Sequence, residues 1–376
     1  MCPRFPYPLE KGDKLRIFHQ LRFLGEKHQV LLVTISDEDI SKEHLDIIKS
    51  YVDEVRIFKL SKVKQVFSLV KSVFSKLPFQ VSYYFDLKIA KKIEDTAKEF
   101  NPDHIYCQLT RMSEYAKNLP YPKTLDYMDA FGVGMERRAA VVSGLYSFIY
   151  KKEAARMKAY ETAVYSSFDH HTIISKQDAK QVTDDSIDII PNGIDTEFFA
   201  PIEILKKFDI GFIGNMGYAP NIDAAEYLVN IILPHLDPKT KVIIAGARPD
   251  KRVKQLSSSN VTVTGWMDDV RTAYAESQIF VAPLWLGTGQ QNKILEAMAM
   301  GIPCVTSSVV NNAIGAKIGT EILVADNEEE FAASIKILMN DPELYKSIRG
   351  NALTFVRKNY SWGKSVEKLS QLMQNS

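Results

Sequence analysis

Short apolar runs alternate with amphipathic helical stretches along most of this chain. The runs are rich in Val, Ile, Leu and Phe, which is typical of strands that are buried on both faces. This alternation predicts parallel α/β sheets. In the first half the predicted strands are 30–35, 54–58, 104–107, 123–127, 171–174 and 187–190, and the predicted helices are 12–27, 62–76, 86–99 and 147–166.

The pattern restarts in the second half, after a turn. The strand at 187–190 ends at Pro191-Asn192-Gly193, and the polar stretch that follows, to about Lys207, is typical of a linker. We therefore predict two Rossmann-like domains, 1–200 and 201–360, that face each other across a cleft. The later strands are predicted at 209–213, 241–245, 261–264, 278–282, 304–306 and 321–324, and the helices near 222–234, 249–256, 268–276, 290–300 and 328–358.

The first domain lacks its opening strand in this prediction. A Rossmann-like domain begins with a strand, a glycine loop and a helix. The helix (13–27) and the loop before it (6–12) are present, but nothing before Cys2 can supply the strand. Either the domain lacks this strand or the chain starts late, and we favour the late start.

Composition narrows the class of protein. A chain of 376 residues with 45% hydrophobic and 25% charged residues is typical of a globular protein with two domains, and a net charge of +1 gives no reason to expect nucleic-acid binding. Cys2, Cys107 and Cys304 have no metal-type spacing, so we expect reduced thiols in a cytoplasmic protein and no metal site. No apolar run approaches the ~20 residues that span a membrane, and no signal peptide is recognisable.

The most informative candidate chemistry lies at 287–303. The strand predicted at 278–282 leads into a glycine-containing loop that opens directly onto a helix. Glycines let the backbone approach a ligand closely, and the free N–H groups of a first helical turn attract an anion. Lys293 adds a positive charge, and Glu296 can accept hydrogen bonds from a diol such as a ribose. The helix ends at Gly301-Ile302-Pro303. A diphosphate with sugar hydroxyls suits this arrangement, which points to a nucleotide-sugar enzyme.

Four motifs, in order, resemble those of the family-4 glycosyltransferases of the GT-B fold. They are the strand Phe168 to Ser175, the "IPNGVD…F"-like segment Ile189 to Phe198, the "FTG"-like Val263-Thr264-Gly265-Trp266, and the "LEAMA-x-G-x-P" helix from Leu295 to Pro303. The resemblance extends from Pro6 to Trp362. Within the family the chain is most similar to transferases of exopolysaccharide clusters, because of Pro6-Tyr7-Pro8 with 11–16 and of Gln291-Asn292-Lys293.

The resemblance implies retaining transfer of a sugar from a nucleotide diphosphate to an acceptor hydroxyl, usually without a metal ion and with no cofactor besides the donor. The donor would lie mainly in the second domain and the acceptor in the first, to which the helix 361–376 would cross back. Glu296 would hold the ribose, and Glu296 and Lys293 are the catalytic candidates. The donor-binding candidates are Gly12, Gly214, Asn215, Arg248, Gly265, Trp266, Gly287, Thr288, Gly289, Gln290, Gln291 and Asn292, and the acceptor-binding candidates are Asp129, Arg4 and Lys14.

Two departures from the family pattern bear on the chemistry. The family commonly has two carboxylates seven residues apart, and here Thr288 stands at the first place and Glu296 at the second. Asn215 and Asn221 stand where the family often carries an arginine and a lysine that neutralise the leaving diphosphate. Losing such a preorganised cation typically costs about 3 kcal/mol. Two residues at the ends of strand-to-helix connections could substitute for it: Lys293 and Arg248.

Several candidates also have plain structural explanations. Glu296 could be a solvated or capping residue, although we favour ligand contact; for Lys293, ligand contact and a surface position both stay open. Asp129 could contact the acceptor, although we favour a turn residue whose carboxylate satisfies backbone N–H groups. Scattered basic residues could bind an anionic acceptor, although we favour a solvated face: Arg4, Lys14 and Arg16.

The segment 62–77 has apolar residues at helical spacing, and no acidic residue occurs from Arg56 to Lys76. A basic amphipathic helix can lie on an anionic membrane surface. We favour the alternative, an ordinary helix that covers the sheet and turns a lysine-rich face outward. A lipid-linked acceptor would make the membrane interpretation attractive.

The resulting hypothesis is a cytoplasmic glycosyltransferase, peripheral on the inner face of the cell membrane if 62–77 contacts lipid. Its partners would be a nucleotide-sugar donor and a sugar or lipid-linked oligosaccharide acceptor. Two alternatives stay open. One is a sugar-nucleotide epimerase on the same fold, which needs acid–base groups clustered in the cleft. The other is a non-catalytic nucleotide- or carbohydrate-binding relative, suggested by Thr288, Asn215 and Asn221.

Overall fold

The computed structural model describes residues 1–72, 75–182, 186–285 and 290–374, and the chain divides into two units. The first unit combines Met1–Pro191 with Ser365–Ser376, and the second is Asn192–Lys364. The stretch expected to be a linker therefore belongs to the second unit from Asn192 onward. Most of the final helix belongs to the first unit.

The first unit contains two parallel sheets built from strands that the sequence predicts to within one residue at each end. The strands are β1 (Leu31–Ser36), β2 (Glu54–Lys59), β3 (Ile105–Gln108), β4 (Lys123–Met128), β5 (His170–Ile173) and β6 (Asp188–Ile189). β1 pairs with β2, and the other sheet has the order β3-β4-β5-β6. Burial on both faces explains why these strands are nearly continuous apolar runs.

Met1 and Cys2 lie between the two sheets. The Cys2 N–H donates to the Val33 carbonyl over 3.0 Å, and Cys2 forms a parallel bridge with Thr34. On the other side, the Gln108 N–H donates to the Met1 carbonyl over 2.9 Å. These two residues therefore bond to both sheets at one end of the space between β1 and β3, and the described residues contain no longer strand there.

A cavity of about 530 Å³ continues from this position toward the amino ends of β1 and β3. Its lining includes Leu31, Val33, Ile93, Ile105 and Tyr106. It lies within the first unit, where the earlier residues of an inserted strand would run. The sheet gap predicted from the sequence is thus a physical space in the fold.

Local sequence signals explain where several helices of the first unit begin and end. Ser41 accepts the His44 N–H, Asp86 accepts those of Lys88 and Ile89, and Asn101 ends its helix in the left-handed conformation. The helices are α1 (Gly12–Leu24), α2 (Lys42–Lys49), α3 (Lys62–Ser72), α4 (Phe79–Ser82), α5 (Leu87–Phe100), α6 (Ser113–Ala116), α7 (Phe131–Val141), α8 (Gly144–Tyr165) and α9 (Lys176–Val182).

The interpretation of 62–77 as a sheet-covering helix is wrong for the described part of this segment. The apolar residues of α3 lie on the surface, with Val63, Val66, Phe67 and Val70 between 58% and 69% exposed. The physical reason is that α5 fills the place on the sheet, since its buried apolar face joins the core of the first unit. The stripe on α3 is consequently left facing solvent.

The second unit is built on a parallel sheet whose order reverses at its centre. Its strands are β7 (Phe208–Ile213), β8 (Val242–Ala245), β9 (Val261–Val263), β10 (Ser277–Ala282), β11 (Cys304–Thr306) and β12 (Leu323–Val324). The order is β12-β11-β10-β7-β8-β9, so the chain leaves β7 in one direction and later returns to β10 on its other side. In open α/β sheets, ligands bind at the carboxyl ends of strands beside such a reversal.

The helices of the second unit follow the predicted alternation with two differences: the helix Ser308–Ile314 was not predicted, and one predicted helix is divided. Asp341 and Pro342 divide the helix predicted at 328–358, because Asp341 caps a new helix with Pro342 at its first position. The helices are α10 (Ala219–Tyr227), α11 (Lys251–Lys254), α12 (Arg271–Ala275), α13 (Asn292–Ala299), α14 (Ser308–Ile314), α15 (Glu328–Asn340), α16 (Pro342–Asn359) and the closing α17 (Trp362–Gln374).

Candidate functional site

Two glycine-containing turns meet at the carboxyl ends of β7 and β8. The Gly214 N–H donates to the Ala245 carbonyl over 2.9 Å. Gly246 has a φ of +140°, and a Cβ there would lie 1.7 Å from the Gly214 carbonyl oxygen. Only glycine fits such an approach. The two turns therefore form a rigid floor beside β10 at the point where the strand order reverses.

Lys293, in the first turn of α13, extends to this floor. Its Nζ donates a hydrogen bond to Asn221 Oδ1 and lies 5.4 Å from the centre of the Phe212 ring. The Asn221 Nδ2 in turn donates to the Asn215 carbonyl over 2.9 Å. Burial lowers the pKa of Lys293 to about 8, although the Glu296 carboxylate opposes this shift. A desolvated ammonium group is thus fixed next to Gly214, whose absent side chain leaves room for it.

Glu296 lies one turn further along α13 and is held by a tyrosine. The Tyr274 hydroxyl lies 2.8 Å from Glu296 Oε2 and 3.3 Å from the Lys293 carbonyl. Burial raises the pKa of Glu296, while the Tyr274 hydrogen bond and Lys293 act in the opposite direction. Glu296 Oε1 makes no hydrogen bond with the described residues, so it can accept one from a ligand. Nothing in the sequence around Tyr274 indicated this role.

Of the donor-binding candidates at the start of α13, one has a structural role and others leave groups available to a ligand. The Gln290 side chain accepts the Asn192 N–H over 3.0 Å and donates to the Asn192 carbonyl over 2.8 Å. Its amide is therefore engaged in tying α13 to the Asn192 turn. Gln291 provides no side-chain cap for α13, and its carbonyl accepts the Ile294 N–H over 3.0 Å, which leaves the N–H groups of Asn292 and Lys293 for an anion. Gly287, Thr288 and Gly289 lie outside the described residues.

The end of α13 confirms the predicted glycine stop. Gly301 has a φ of +68°, the Gly301 N–H donates to the Met298 carbonyl, and the Ile302 N–H donates to the Ala297 carbonyl. These paired bonds form a Schellman motif, which favours glycine at this position. The motif fixes the length of α13 and hence the height of Lys293 and Glu296 above the sheet.

Other donor-binding candidates of the second unit border the floor or stand apart from it. Arg248 is exposed and has a φ of +54°, and its carbonyl would lie 3.0 Å from a Cβ at Gly217. Asn215 is exposed, and its Oδ1 accepts the Gly217 N–H over 3.0 Å. Trp266 is 76% exposed, and a Cβ added at the neighbouring Gly265 would meet no atom within 4 Å. An exposed indole beside an open glycine is consistent with stacking on a base.

The basic acceptor-binding candidates are less solvated than expected. Arg4 pairs with Asp13 over 2.6 Å and donates to the Tyr84 hydroxyl over 3.1 Å. Lys14 is buried, and Arg16 is 0% exposed. The solvated-face interpretation is therefore wrong for Lys14 and Arg16, because α1 packs this side against the sheet. Gly12, the first residue of α1, has open space around it.

Asp129 follows a sharp turn at the carboxyl end of β4. Met128 has a φ of +61°, and the Asp129 N–H donates to the Tyr127 carbonyl over 2.8 Å. The Asp129 carboxylate accepts no hydrogen bond from the described residues, so the turn-capping interpretation is not supported. Asp129 is an exposed residue, and desolvation of its carboxyl by the surrounding atoms, followed by the nearby Asp178 carboxylate, raises its pKa to about 6. Contact with the acceptor stays a prediction for this residue.

The described residues contain no group of three or more His, Cys, Asp or Glu side chains placed to hold a metal ion. His171 is buried and stacks on Tyr165 with ring centres 3.7 Å apart, and the three cysteines are buried. In the same described ranges, no helix combines the length and the apolarity that crossing a membrane requires.

The second unit matches a known family. Residues 207–341 match the model described as "Glycosyl transferases group 1". This range includes the floor, the Lys293–Asn221 contact and the Glu296–Tyr274 contact. The match therefore coincides with the site that the geometry identifies.

Two curated relatives are similar to this chain. An uncharacterized 44.6 kDa protein in the cps region of Klebsiella pneumoniae is 24% identical and covers 94% of each chain. The Escherichia coli UDP-Gal:alpha-D-GlcNAc-diphosphoundecaprenol alpha-1,3-galactosyltransferase is 25% identical over 50% of this chain and 53% of its own.

Among solved structures, Anabaena HepE in complex with UDP superposes with a TM-score of 0.70. It is 12% identical and covers 97% of each chain. Identity this low establishes the fold alone. The predicted GT-B fold class is confirmed.

Proposed function

We propose that this chain is a glycosyltransferase that moves a hexose from a uridine diphosphate donor to an acceptor hydroxyl with retention of configuration. Its residues 207–341 match the glycosyl transferases group 1 family. The observation that carries the proposal is the placement of a half-buried ammonium and a carboxylate one turn apart. Lys293 and Glu296 both lie where the strand order of the sheet reverses.

Lys293 supports the assignment of the diphosphate position. Its Nζ contacts Asn221. Asn221 stands at a position where the glycosyltransferases that this chain resembles often carry a cationic side chain. The Lys293 side chain thus delivers from α13 the positive charge that the sequence lacks at 221. A diphosphate that leaves the sugar develops negative charge, and a preorganised cation stabilises that charge. This makes a metal ion dispensable in the proposal.

Glu296 supports the assignment of the ribose position. Tyr274 fixes one carboxylate oxygen, and Oε1 remains to accept a ribose hydroxyl. The uncapped first turn of α13 offers its N–H groups to the diphosphate, and exposed Trp266 offers a surface for the base. No separate cofactor is proposed, because the nucleotide sugar is itself the substrate.

The proposed reaction needs no protein nucleophile. The acceptor hydroxyl would attack the anomeric carbon on the face that the diphosphate leaves, and the departing phosphate oxygen would take its proton. The bond to the diphosphate breaks as the bond to the acceptor forms, so positioning and charge stabilisation supply the rate.

We propose a lipid-linked saccharide as the acceptor, in the synthesis of a surface polysaccharide on the cytoplasmic face of the membrane. Two relatives motivate this: one protein named for its cps region, and one galactosyltransferase named for UDP-Gal and a diphosphoundecaprenol acceptor. Peripheral membrane contact through 62–77 would bring the protein to such an acceptor.

The test is UDP binding and donor turnover in Lys293→Met and Glu296→Ala. Lys293→Met should lower turnover about 100-fold, since loss of a preorganised charge costs about 3 kcal/mol. UDP affinity of the unaltered protein should fall as the pH rises through about 8, because the Lys293 ammonium then loses its proton. Lys293→Met should show no such fall. Glu296→Ala should weaken UDP binding about tenfold through loss of the ribose contact.

Lys336→Met is the matched control, because Lys336 is exposed on α15 of the same unit. It should leave turnover and pH dependence unchanged. Donor binding without any transfer to lipid-linked acceptors would favour the non-catalytic alternative, and an epimerised donor without acceptor would favour the epimerase. A Lys293→Met protein with full turnover would contradict the proposed site.

A further inference from the structure

Two elements of the first unit expose clusters of large apolar side chains. On α3 these are Val63, Val66, Phe67 and Val70, spaced so that they share one face of the helix. At the start of α8, Leu145 and Tyr146 are 72% and 71% exposed, and Phe148 is 65% exposed. The helical spacing of apolar residues in the sequence predicts the first cluster but not the second. Clusters of this kind mark interaction surfaces.

Both clusters lie in stretches of chain without acidic residues. No Asp or Glu occurs from 55 to 85, which contains Arg56, Lys59, Lys62, Lys64, Lys71 and Lys76. None occurs from 137 to 152, which contains Arg137, Arg138, Lys151 and Lys152. Arg56 pairs with Glu54 and Lys59 pairs with Asp39. Because the chain as a whole is nearly neutral at +1, the remaining concentration of positive charge is local. The partner that it suits carries negative charge.

The two elements are tied together through the middle of α8. Arg156 donates hydrogen bonds to the carbonyls of Ser72, the last residue of α3, and Ser75. The Glu153 carboxylate accepts the N–H groups of Phe79 and Gln80 over 3.0 and 2.9 Å. Phe67 lies roughly 8 Å along α3 from Ser72, and Phe148 lies roughly 12 Å along α8 from Arg156. The two clusters therefore lie within roughly 30 Å of each other in one unit.

We propose that the exposed faces of α3 and of the start of α8 form one docking surface for an anionic phospholipid bilayer. The inference rests on the proposed function and deepens it, because it specifies how the first unit would meet a lipid-linked acceptor. Apolar side chains enter the boundary between headgroups and acyl chains, and the flanking Lys and Arg residues attract anionic headgroups. A second copy of this chain fits less well, since it would bring like charges together.

The experiment is sedimentation of the full chain with vesicles of phosphatidylcholine alone or with phosphatidylglycerol. Binding is expected to the anionic vesicles and to weaken at high salt. Phe67→Ser and Phe148→Ser should each reduce binding about tenfold, and the double variant should reduce it further. Leu87→Ser is the matched control, because Leu87 is 77% exposed in the same unit outside both clusters. It should change binding less than twofold.

Three results would overturn the surface: equal binding to neutral and anionic vesicles, no binding at all, or unchanged binding in the double variant. A stable dimer that the double variant dissociates would also overturn it, by assigning the faces to a second copy. UDP affinity and donor hydrolysis, measured without vesicles, should be the same in all these variants. A failure of the surface is thereby separated from a failure of the donor site.

Discussion

Glu296 and Lys293 acquire their properties from neighbours that are distant in the sequence. Tyr274 donates to Glu296 from α12, and Asn221 receives the Lys293 hydrogen bond from α10. The motif around α13 predicts both titratable residues because a lysine and a glutamate in a glycine-bounded helix are unusual. Tyr274 carries no such signal, since a buried tyrosine in a short helix is ordinary core material.

Tyr274→Phe tests the dependence of Glu296 on this neighbour. The hydrogen bond from Tyr274 lowers the pKa of Glu296, so its removal should raise that pKa further. A protonated Glu296 is a poorer acceptor for a ribose diol. UDP affinity should therefore begin to fall at a higher pH during acidification than in the unaltered protein, and should be about tenfold weaker at neutral pH. Calorimetric titration from pH 8 to pH 5 measures both effects.

One result would contradict the prediction for Tyr274→Phe. If Tyr274→Phe binds UDP with the same affinity as the unaltered protein, and this affinity falls at the same pH on acidification, the pKa of Glu296 does not depend on the tyrosine. Tyr345→Phe is a suitable comparison, because the Tyr345 hydroxyl donates to the Gln278 carbonyl and touches neither site residue.

At the scale of elements, a buried ion pair joins α1 to the sheet of the first unit. Arg16 contacts Asp126 over 2.7 Å, and both side chains are 0% exposed. The Tyr106 and Thr172 hydroxyls donate to the same carboxylate over 2.6 and 3.0 Å. One carboxylate on β4 thus connects α1 with β3 and β5. Residue types alone did not reveal this, since partners 110 positions apart share no local pattern.

Asp126→Asn should therefore destabilise the first unit strongly. It leaves the Arg16 charge buried without its partner, which costs about 3–5 kcal/mol. The free energy of unfolding, measured by urea denaturation, should fall by that amount. Asp39→Asn removes an exposed partner of Lys59 and should leave the free energy of unfolding nearly unchanged, because water and salt screen an exposed pair. Similar values for the two variants would contradict the role assigned to the pair.

The positions of strands were predictable wherever a strand is buried on both of its faces. The strands of both units fall within a few residues of their predicted places, because a buried parallel strand must be apolar throughout. The same reasoning predicted the wrong burial for α3. Its apolar stripe satisfies the same periodicity as a core helix, and only the presence of α5 on the sheet decided that it stays exposed.

At the scale of the whole molecule, a space separates the two sheets of the first unit. Met1 and Cys2 bridge β1 and β3 at one end, and the cavity of about 530 Å³ lies at the other. Extending their parallel ladder backward would bring a strand against the Leu31 carbonyl and the N–H groups of Val33 and Tyr106. Such a strand would cover apolar surface that now lines the cavity.

Fusing five extended, β-branched residues directly before Met1 should stabilise the first unit. Burial of two or three of their side chains contributes about 1.5–3 kcal/mol each, and with the ladder bonds this exceeds the ordering cost of about 1–2 kcal/mol per residue by about 1 kcal/mol. The melting temperature should rise by about 3 °C in calorimetry. A segment of the same length with two prolines cannot join the ladder and should give no rise. Equal melting temperatures for the two fusions would contradict a strand-shaped space.

The sequence by itself determined the α/β class, the division into two halves, the succession of strands along the chain and the placement of Lys293 and Glu296 in one glycine-bounded helix. These follow from periodicity, caps and glycine positions, which are local and are written in adjacent residues. Only the tertiary structure decided that Asn221 and Tyr274 serve that helix, that Gln290 is engaged with Asn192, and that Arg16 is buried. Each of these depends on contacts between residues far apart in the chain, whose energies arise only when the sheet order brings them together.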